Sequence, residues 1–196
     1  MNSTPFKMTV RAATDADVPA MLAIYQHHIS TGLGDPDAAQ ESRLLEAEDL
    51  RRRSKTMRRS RLPHIVAESN GTVVGYAYAV AFRKRPAYRY TLKHSIYIHH
   101  RFVKLGIGRT LLPTLIDACA AGGYRQLIGY IDPANEGSLR LHKAFGFVRV
   151  ALLPAVGFKF GQWVDSVMVQ RALGAGASMP PGTWPETELL GNREPS

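Results

Sequence analysis

The chain has 196 residues, 45% hydrophobic and 21% charged, a balance that suits one soluble globular domain with a well-buried core. No apolar run is long enough to span a bilayer, the N-terminus lacks the charged-then-apolar pattern of a signal peptide, and the single cysteine, Cys119, excludes intramolecular disulfides and Cys-based zinc sites. These features point to the cytoplasm, and the net charge of +9 favours an anionic partner without naming one.

Thr9 to Ala12 reads as a first strand. Thr14 is a candidate N-cap with Asp15 and Asp17 in the first turn, and Val18, Met21, Leu22, Tyr25 and Ile29 mark one face of the helix that follows. Thr31 to Ala39 is a loop, and a polar helix runs from near Glu41 toward Arg61. Its arginines and lysine, Arg51 to Arg61, are the most nucleic-acid-like feature of the chain. No aromatic residue interleaves with them, so they read better as a solvated face.

His64 to Glu68 and Val73 to Ala81 are strands joined at Asn70-Gly71, a pair suited to a tight type I′ turn. A basic aromatic loop containing Arg83, Arg85 and Tyr88 leads to a strand over Thr91 to Ile98. Leu111, Leu112, Leu115, Ile116 and Cys119 then recur at helical spacing up to Gly122-Gly123. Between strand and helix lies Lys104-Leu105-Gly106-Ile107-Gly108-Arg109. Backbone N–H groups at such a turn converge where the helix dipole is positive, and glycine carries no Cβ to hold an anion away. Two readings stay open on spacing alone, a seat for a diphosphate and an ordinary strand-to-helix turn.

Leu127 to Ile131 is a buried strand, Asn135 a candidate cap for a helix over Glu136 to Phe145, and Gly146 its stop. Val148 to Pro154 and Trp163 to Arg171 read as the last strands. The alternation predicts an α/β domain over residues 1–173, a mixed, largely antiparallel sheet flanked by helices on both faces. Residues 174–196 form an irregular Pro/Gly-rich tail in which Trp184, Leu189 and Leu190 are candidates to dock.

An ordered set of short motifs spans about Val10 to Leu173. It comprises Ala87-Tyr88, Thr91 and Ser95-Ile96-Tyr97; Gly106-Ile107-Gly108; Asn135, Ser138, Leu141-His142 and Gly146-Phe147; and Gly157-Phe158-Lys159, Gly161, Trp163 and Asp165. On this set the sequence resembles the GNAT superfamily of N-acetyltransferases, and within it the phosphinothricin and methionine sulfoximine N-acetyltransferases. The resemblance implies a GNAT fold, acetyl-CoA as co-substrate with no metal, and the primary amine of a small amino-acid-like acceptor. It implies diphosphate binding at Lys104, Leu105, Gly106, Ile107, Gly108 and Arg109, pantetheine pairing along Ile96, Tyr97 and Ile98, and cofactor contacts from Asn135 and Ser138. It also implies a homodimer, and partners that include neither nucleic acid nor a membrane.

The transfer chemistry needs an N–H to stabilise an oxyanion, expected near Tyr97, and an acid for the leaving thiolate, the role the resemblance gives His142. Taken without it, His142 reads as a structural helix histidine. One departure bears on catalysis: the family's glutamate base falls at Lys93. A charged lysine accepts no proton, so the open readings are that Lys93 is a desolvated base, that His94 or a water chain replaces it, that the amine arrives already deprotonated and catalysis is weak, or that Lys93 binds an acceptor carboxylate. Val103 stands where many relatives carry Gln or Arg. Arg83, Arg85 and Tyr88 are candidates for clamping an acidic acceptor, against a plain solvated loop. The rival functions are acetylation of a different amine, such as a polyamine or a protein N-terminus, and a catalytically weak CoA-binding module.

Overall fold

The computed structural model describes residues 6–31 and 47–181. The loop expected after Thr31, the helix start near Glu41 and the tail residues Trp184, Leu189 and Leu190 lie outside the described residues. Strands β1 (Thr9–Ala12), β2 (His64–Ser69), β3 (Thr72–Ala81), β4 (Thr91–Ile98), β5 (Gln126–Ile131), β6 (Val148–Lys159) and β7 (Gln162–Ala172) form one sheet in the order β1-β2-β3-β4-β5-β7-β6. All neighbours are antiparallel except β4 and β5. Around the sheet lie α1 (Val18–Ser30), α2 (Ala47–Arg59), α3 (Ile107–Ala121) and α4 (Glu136–Ala144). This is the mixed, largely antiparallel α/β sheet expected from the sequence.

The apolar stripes explain the layering. Val18, Met21 and Ile24 of α1 and Leu50 of α2 pack with Tyr76 and Tyr97 on one face of the sheet. Leu111, Leu112, Leu115, Ile116 and Cys119 of α3 pack with Val74, Leu92 and Leu127 on the other. Each fully buried leucine contributes roughly 1.5–3 kcal/mol relative to exposure. The parallel β4–β5 pair requires a crossover connection, and α3 supplies it.

Two tight turns set the hairpins. Asn70-Gly71, with φ of 49° and 75°, joins β2 to β3, and Phe160-Gly161, with φ of 49° and 77°, joins β6 to β7. Strand β6 runs on to Lys159, past the end expected at Pro154. The pairing register jumps between Leu153 and Gly157, Ala155 adopts φ 47°, and its N–H donates to Asp165 Oδ1 at 2.9 Å. An irregular edge strand tolerates a proline that a central strand would not, so β6 resumes after it.

Candidate active site

β4 and β5 pair only at Thr91↔Gln126, Leu92↔Leu127 and Lys93↔Ile128. Past Lys93 the two strands part, while β3 stays paired with β4 as far as Ile98. A cleft opens in the gap, lined by residues 94–97 of β4, residues 129–132 along β5 and its end, and Asn135, Ser138 and His142 at α4, with His28 of α1 closing one side.

Strand alternation decides which β4 main-chain groups face this gap. The His99 N–H donates to the Val74 carbonyl, and the Phe82 N–H donates to the Thr91 carbonyl. Odd-numbered residues of β4 therefore bond toward β3, and even-numbered ones turn their N–H and C=O the other way. The Tyr97 N–H thus faces β3, and the groups on the open edge belong to Ile96 and Ile98. The Ile98 carbonyl is already engaged, because the His28 Nε2–H donates to it at 2.8 Å. The Tyr97 ring is buried and stacks on Tyr76, with centroids 5.0 Å apart.

At the far end of β4 the chain turns into α3. Lys104 (φ 63°) and Gly106 (φ 83°) are left-handed, which bends the backbone around the helix start. No described side chain caps α3, so its first N–H groups keep their donor capacity. A Cβ on Gly106 would meet nothing within 4 Å, so the space in front of the turn is open. Gly108 has a different reason to be glycine: a Cβ there would lie 2.9 Å from Leu141 Cδ2, so its bareness lets α3 approach α4 rather than an anion. The residues present fit a diphosphate, with the Gly106 turn and the helix amides as donors.

Asn135 caps α4, its Oδ1 accepting from the Ser138 N–H at 3.0 Å. That cap orients the first turn of α4 and sets His142 one turn behind Ser138. His142 is buried and its Nε2 lies 2.9 Å from His94 Nε2. The His94 Nδ1–H donates to the Ile128 carbonyl at 2.9 Å, and His142 Nδ1 lies 2.8 Å from the Ser138 carbonyl and 3.3 Å from Ser138 Oγ. Burial, and then the neighbouring His142, push His94 down to about 3, and burial also lowers His142. Gly129 makes room for the pair, since a Cβ there would lie 2.8 Å from His94 Cε1.

The sequence and the fold have counterparts among known proteins. The Acetyltransferase (GNAT) family profile matches residues 23–147. The phosphinothricin N-acetyltransferase of Alcaligenes faecalis is 47% identical over 169 residues, covering 86% of this chain and 84% of that one. The chain belongs to the GNAT acetyltransferase family. The L-methionine sulfoximine/L-methionine sulfone acetyltransferase of Salmonella typhimurium is 36% identical over 171 residues, 85% of this chain and 95% of the other. A crystal structure of a GNAT superfamily phosphinothricin acetyltransferase from Sinorhizobium meliloti, in complex with AcCoA, superposes with a TM-score of 0.85 at 37% identity, covering 92% of this chain and 97% of that one.

Within this GNAT acetyltransferase the expected site residues do not all gather at the cleft. Ile96, Tyr97, Asn135, Ser138 and His142 line it. Lys93 and His94 are adjacent on β4 and so point to opposite faces of the sheet, His94 toward α4 and Lys93 toward the α1 side. The Lys93 Nζ lies 6.0 Å from the Tyr130 ring centroid. Arg83, Arg85 and Tyr88 sit in the β3–β4 connection outside the cleft lining, with Arg83 held 5.5 Å from the Tyr88 ring and 5.2 Å from Phe82. The pairing of His94 with His142 was not readable from a motif. The one signal was Gly129, an isolated glycine in an apolar strand, which marks a close approach by something.

Proposed function

We propose that the chain transfers the acetyl group of acetyl-CoA to the primary amine of a small amino-acid-like acceptor, of the kind named for its phosphinothricin and methionine sulfoximine acetylating relatives. The observation that carries this reading is the β4 edge left open beyond Lys93, followed in the chain by the uncapped start of α3. That juxtaposition matches an elongated ligand with an amide-bearing arm and a diphosphate. Acetyl-CoA supplies an activated thioester when bound. The Lys104–Arg109 amides, with Arg101, Lys104 and Arg109 nearby in sequence and Lys143 on α4, attract its phosphates. The Ile96 and Ile98 main-chain groups line up the arm, and the Ile96 N–H is our candidate for the oxyanion donor, one residue from the Tyr97 first expected. His142 is the candidate acid for the leaving thiolate.

Lys93 is not a proton acceptor while charged, so we assign it to the acceptor's carboxylate or phosphinate, with Arg83, Arg85 and Tyr88 as a more distant basic and aromatic rim. The same lysine is the specific observation favouring the second reading, acetylation of a different amine or a weak CoA-binding role. A homodimer is supported by exposed apolar side chains on the β6–β7 hairpin, where Phe160 and Trp163 are about 70% accessible. The lone buried thiol of Cys119 agrees with a cytoplasmic protein.

The test is thiol release from acetyl-CoA against a panel of amino acids, their phosphinate and sulfoximine analogues, and polyamines, with Lys93→Glu and His142→Ala beside the natural chain. Turnover restricted to the amino-acid analogues supports the proposal. Turnover on polyamines alone, or a sharp gain from Lys93→Glu over a near-inactive parent, replaces it with the second reading.

A further inference from the structure

Between the end of β4 and the bend that begins α3 lies a single 3-10 turn, His100–Phe102, whose start is closed by a side chain. The Arg101 N–H donates to His99 Nδ1 at 3.2 Å, and the Phe102 N–H donates to the His99 carbonyl at 2.9 Å. A backbone N–H only donates, so His99 Nδ1 is bare and its ring proton sits on Nε2. Unlike the hydroxyl or carboxamide oxygen of the usual caps, this acceptor is a lone pair that a proton takes near neutral pH. Protonation turns Nδ1 into a second donor facing the Arg101 N–H, and the cap is lost.

The turn is fixed at few points. The His99 N–H is held by the Val74 carbonyl of β3 at 3.0 Å, and Phe102 packs against the α3 side of the core, 5.9 Å from the Phe6 ring. Val103 and Leu105, which follow, are about half exposed and add little packing of their own. The bend at Lys104 and Gly106 therefore takes its position from the capped turn on one side and from α3 on the other.

His99 is only partly buried, so solvent protons reach it. Its ring stacks on His100 at 4.5 Å, and His100 stacks on His27 of α1 at 4.0 Å. The ionisable groups facing it are His100 and Arg101 from its own turn and His27 from α1, with His28 beyond, and β3 brings none around Val74. Among the described residues no carboxylate is ion-paired with any of these four histidines. Burial, and then His100, Arg101 and His27, hold His99 below the usual imidazole value.

We propose that His99 is a positioning residue for the diphosphate turn, holding it through a cap that exists only while the imidazole is neutral, so that acetyl-CoA capture weakens on acidification. The inference rests on the acetyltransferase reading and deepens it, adding the proton as a regulator of the same site. The sign follows from the two states of the turn. The capped turn binds a proton at Nδ1 more weakly than the open one, so capture is complete above the usual imidazole value near pH ~6.5 and declines below it. The decline is about fivefold in affinity, the worth of one cap.

Calorimetric titration of the full chain with acetyl-CoA tests this beside His99→Asn, which caps without titrating, and His99→Ala, which does neither. Protonation of the ligand's own phosphates is common to all three chains and cancels in their ratios. At pH ~7.5 the parent and His99→Asn should bind alike and His99→Ala about fivefold more weakly. At pH ~5 the parent should fall to the level of His99→Ala, while His99→Asn stays about fivefold tighter. A parent that tracks His99→Asn at both pH values overturns the proposal. So does a parent tighter than His99→Asn at the lower pH, the mark of an imidazolium that attracts phosphate. Nitrogen NMR of the histidine-labelled parent needs no ligand: His99 protonated on Nε2 is expected at neutral pH, and a proton on Nδ1 overturns the proposal whatever the variants do. A parent that binds no acetyl-CoA at any pH defeats the acetyltransferase reading and this inference together, whereas failure of the His99 ratios alone leaves that reading intact.

Discussion

A Cβ added to Gly108 would sit 2.9 Å from Leu141 Cδ2, so any larger residue there requires the Leu141 side chain to shift. The second glycine of the Gly-x-Gly turn is thereby a packing residue, and the first, at φ 83° with open space before it, is the conformational one. Gly108→Ala is expected to cost about 1–3 kcal/mol by overpacking. Much of that loss should vanish in a Leu141→Ala background, because the two sites share one contact. Gly106→Ala costs about 1–2 kcal/mol through its left-handed backbone and is indifferent to Leu141. Urea unfolding of the parent, the three single variants and the two double variants with Leu141→Ala measures both couplings.

His64 sits buried between α2 and the sheet, its Nδ1 3.3 Å from Ser54 Oγ and its ring edge-on to Tyr78 at 5.9 Å. Burial, then the nearby Arg58, pushes it down to about 4. The folded chain thus binds this proton more weakly than the unfolded chain. Stability from this residue is complete above pH ~6.5 and is lost as pH falls toward ~4, a loss on the order of 3 kcal/mol. His94 contributes in the same sense over a window reaching down to about 3. Urea midpoints across this range should fall steadily in the parent, and His64→Phe should fall less.

Asp17 anchors the start of α1. Its carboxylate accepts from the Arg11 guanidinium at 2.7 and 2.8 Å, from the Thr14 N–H at 2.7 Å and from the Thr14 hydroxyl at 2.9 Å. The Arg11 bonds, chiefly, hold it down to about 2. Its contribution is present above the unfolded value near pH ~4 and disappears as pH falls through about 2. Asp17→Asn should cost about 1–2 kcal/mol near neutrality, less than a fully buried pair because Arg11 is partly exposed. Glu68→Gln, which removes a more exposed partner of the same arginine, should cost less, and thermal unfolding ranks the two.

Cys119 lies fully within the α3 face of the core, and burial pushes its thiol up to about 12. An aromatic disulfide reagent should modify it about a hundredfold or more slower in the native chain than in denaturant, where reaction is prompt. Prompt reaction of the native chain would mean that the α3 face opens far more readily than its packing implies.

The sequence was most readable where one residue type has one physical use. Asn70-Gly71 became a tight turn, the Leu111–Cys119 stripe became the buried face of α3, and Asn135 became a cap. Reading failed where the reason lay far along the chain. Pro154 looked like the end of a strand, yet the irregular stretch before Gly157 absorbs it. The order of β7 and β6 beside β5 rests on pairings that no local pattern carries. His94 and His142 are 48 positions apart, and each alone looks like an ordinary buried histidine. The main-chain donor at the cleft shifted from Tyr97 to Ile96 because hydrogen-bond parity depends on which neighbour β4 pairs with.

The parting of β4 from β5 after Lys93 leaves a ladder unfinished in the middle of the sheet rather than at its rim. Recognition written in peptide groups is invisible to point substitution, since every residue type except proline offers the same N–H and C=O. Donor capture in such a scaffold can survive extensive sequence drift while the loops and the side chains around Lys93 change freely. Under the proposed function, an exchange as abrupt as a carboxylate for an ammonium at that position redirects which amine is modified without dismantling the hold on the thioester.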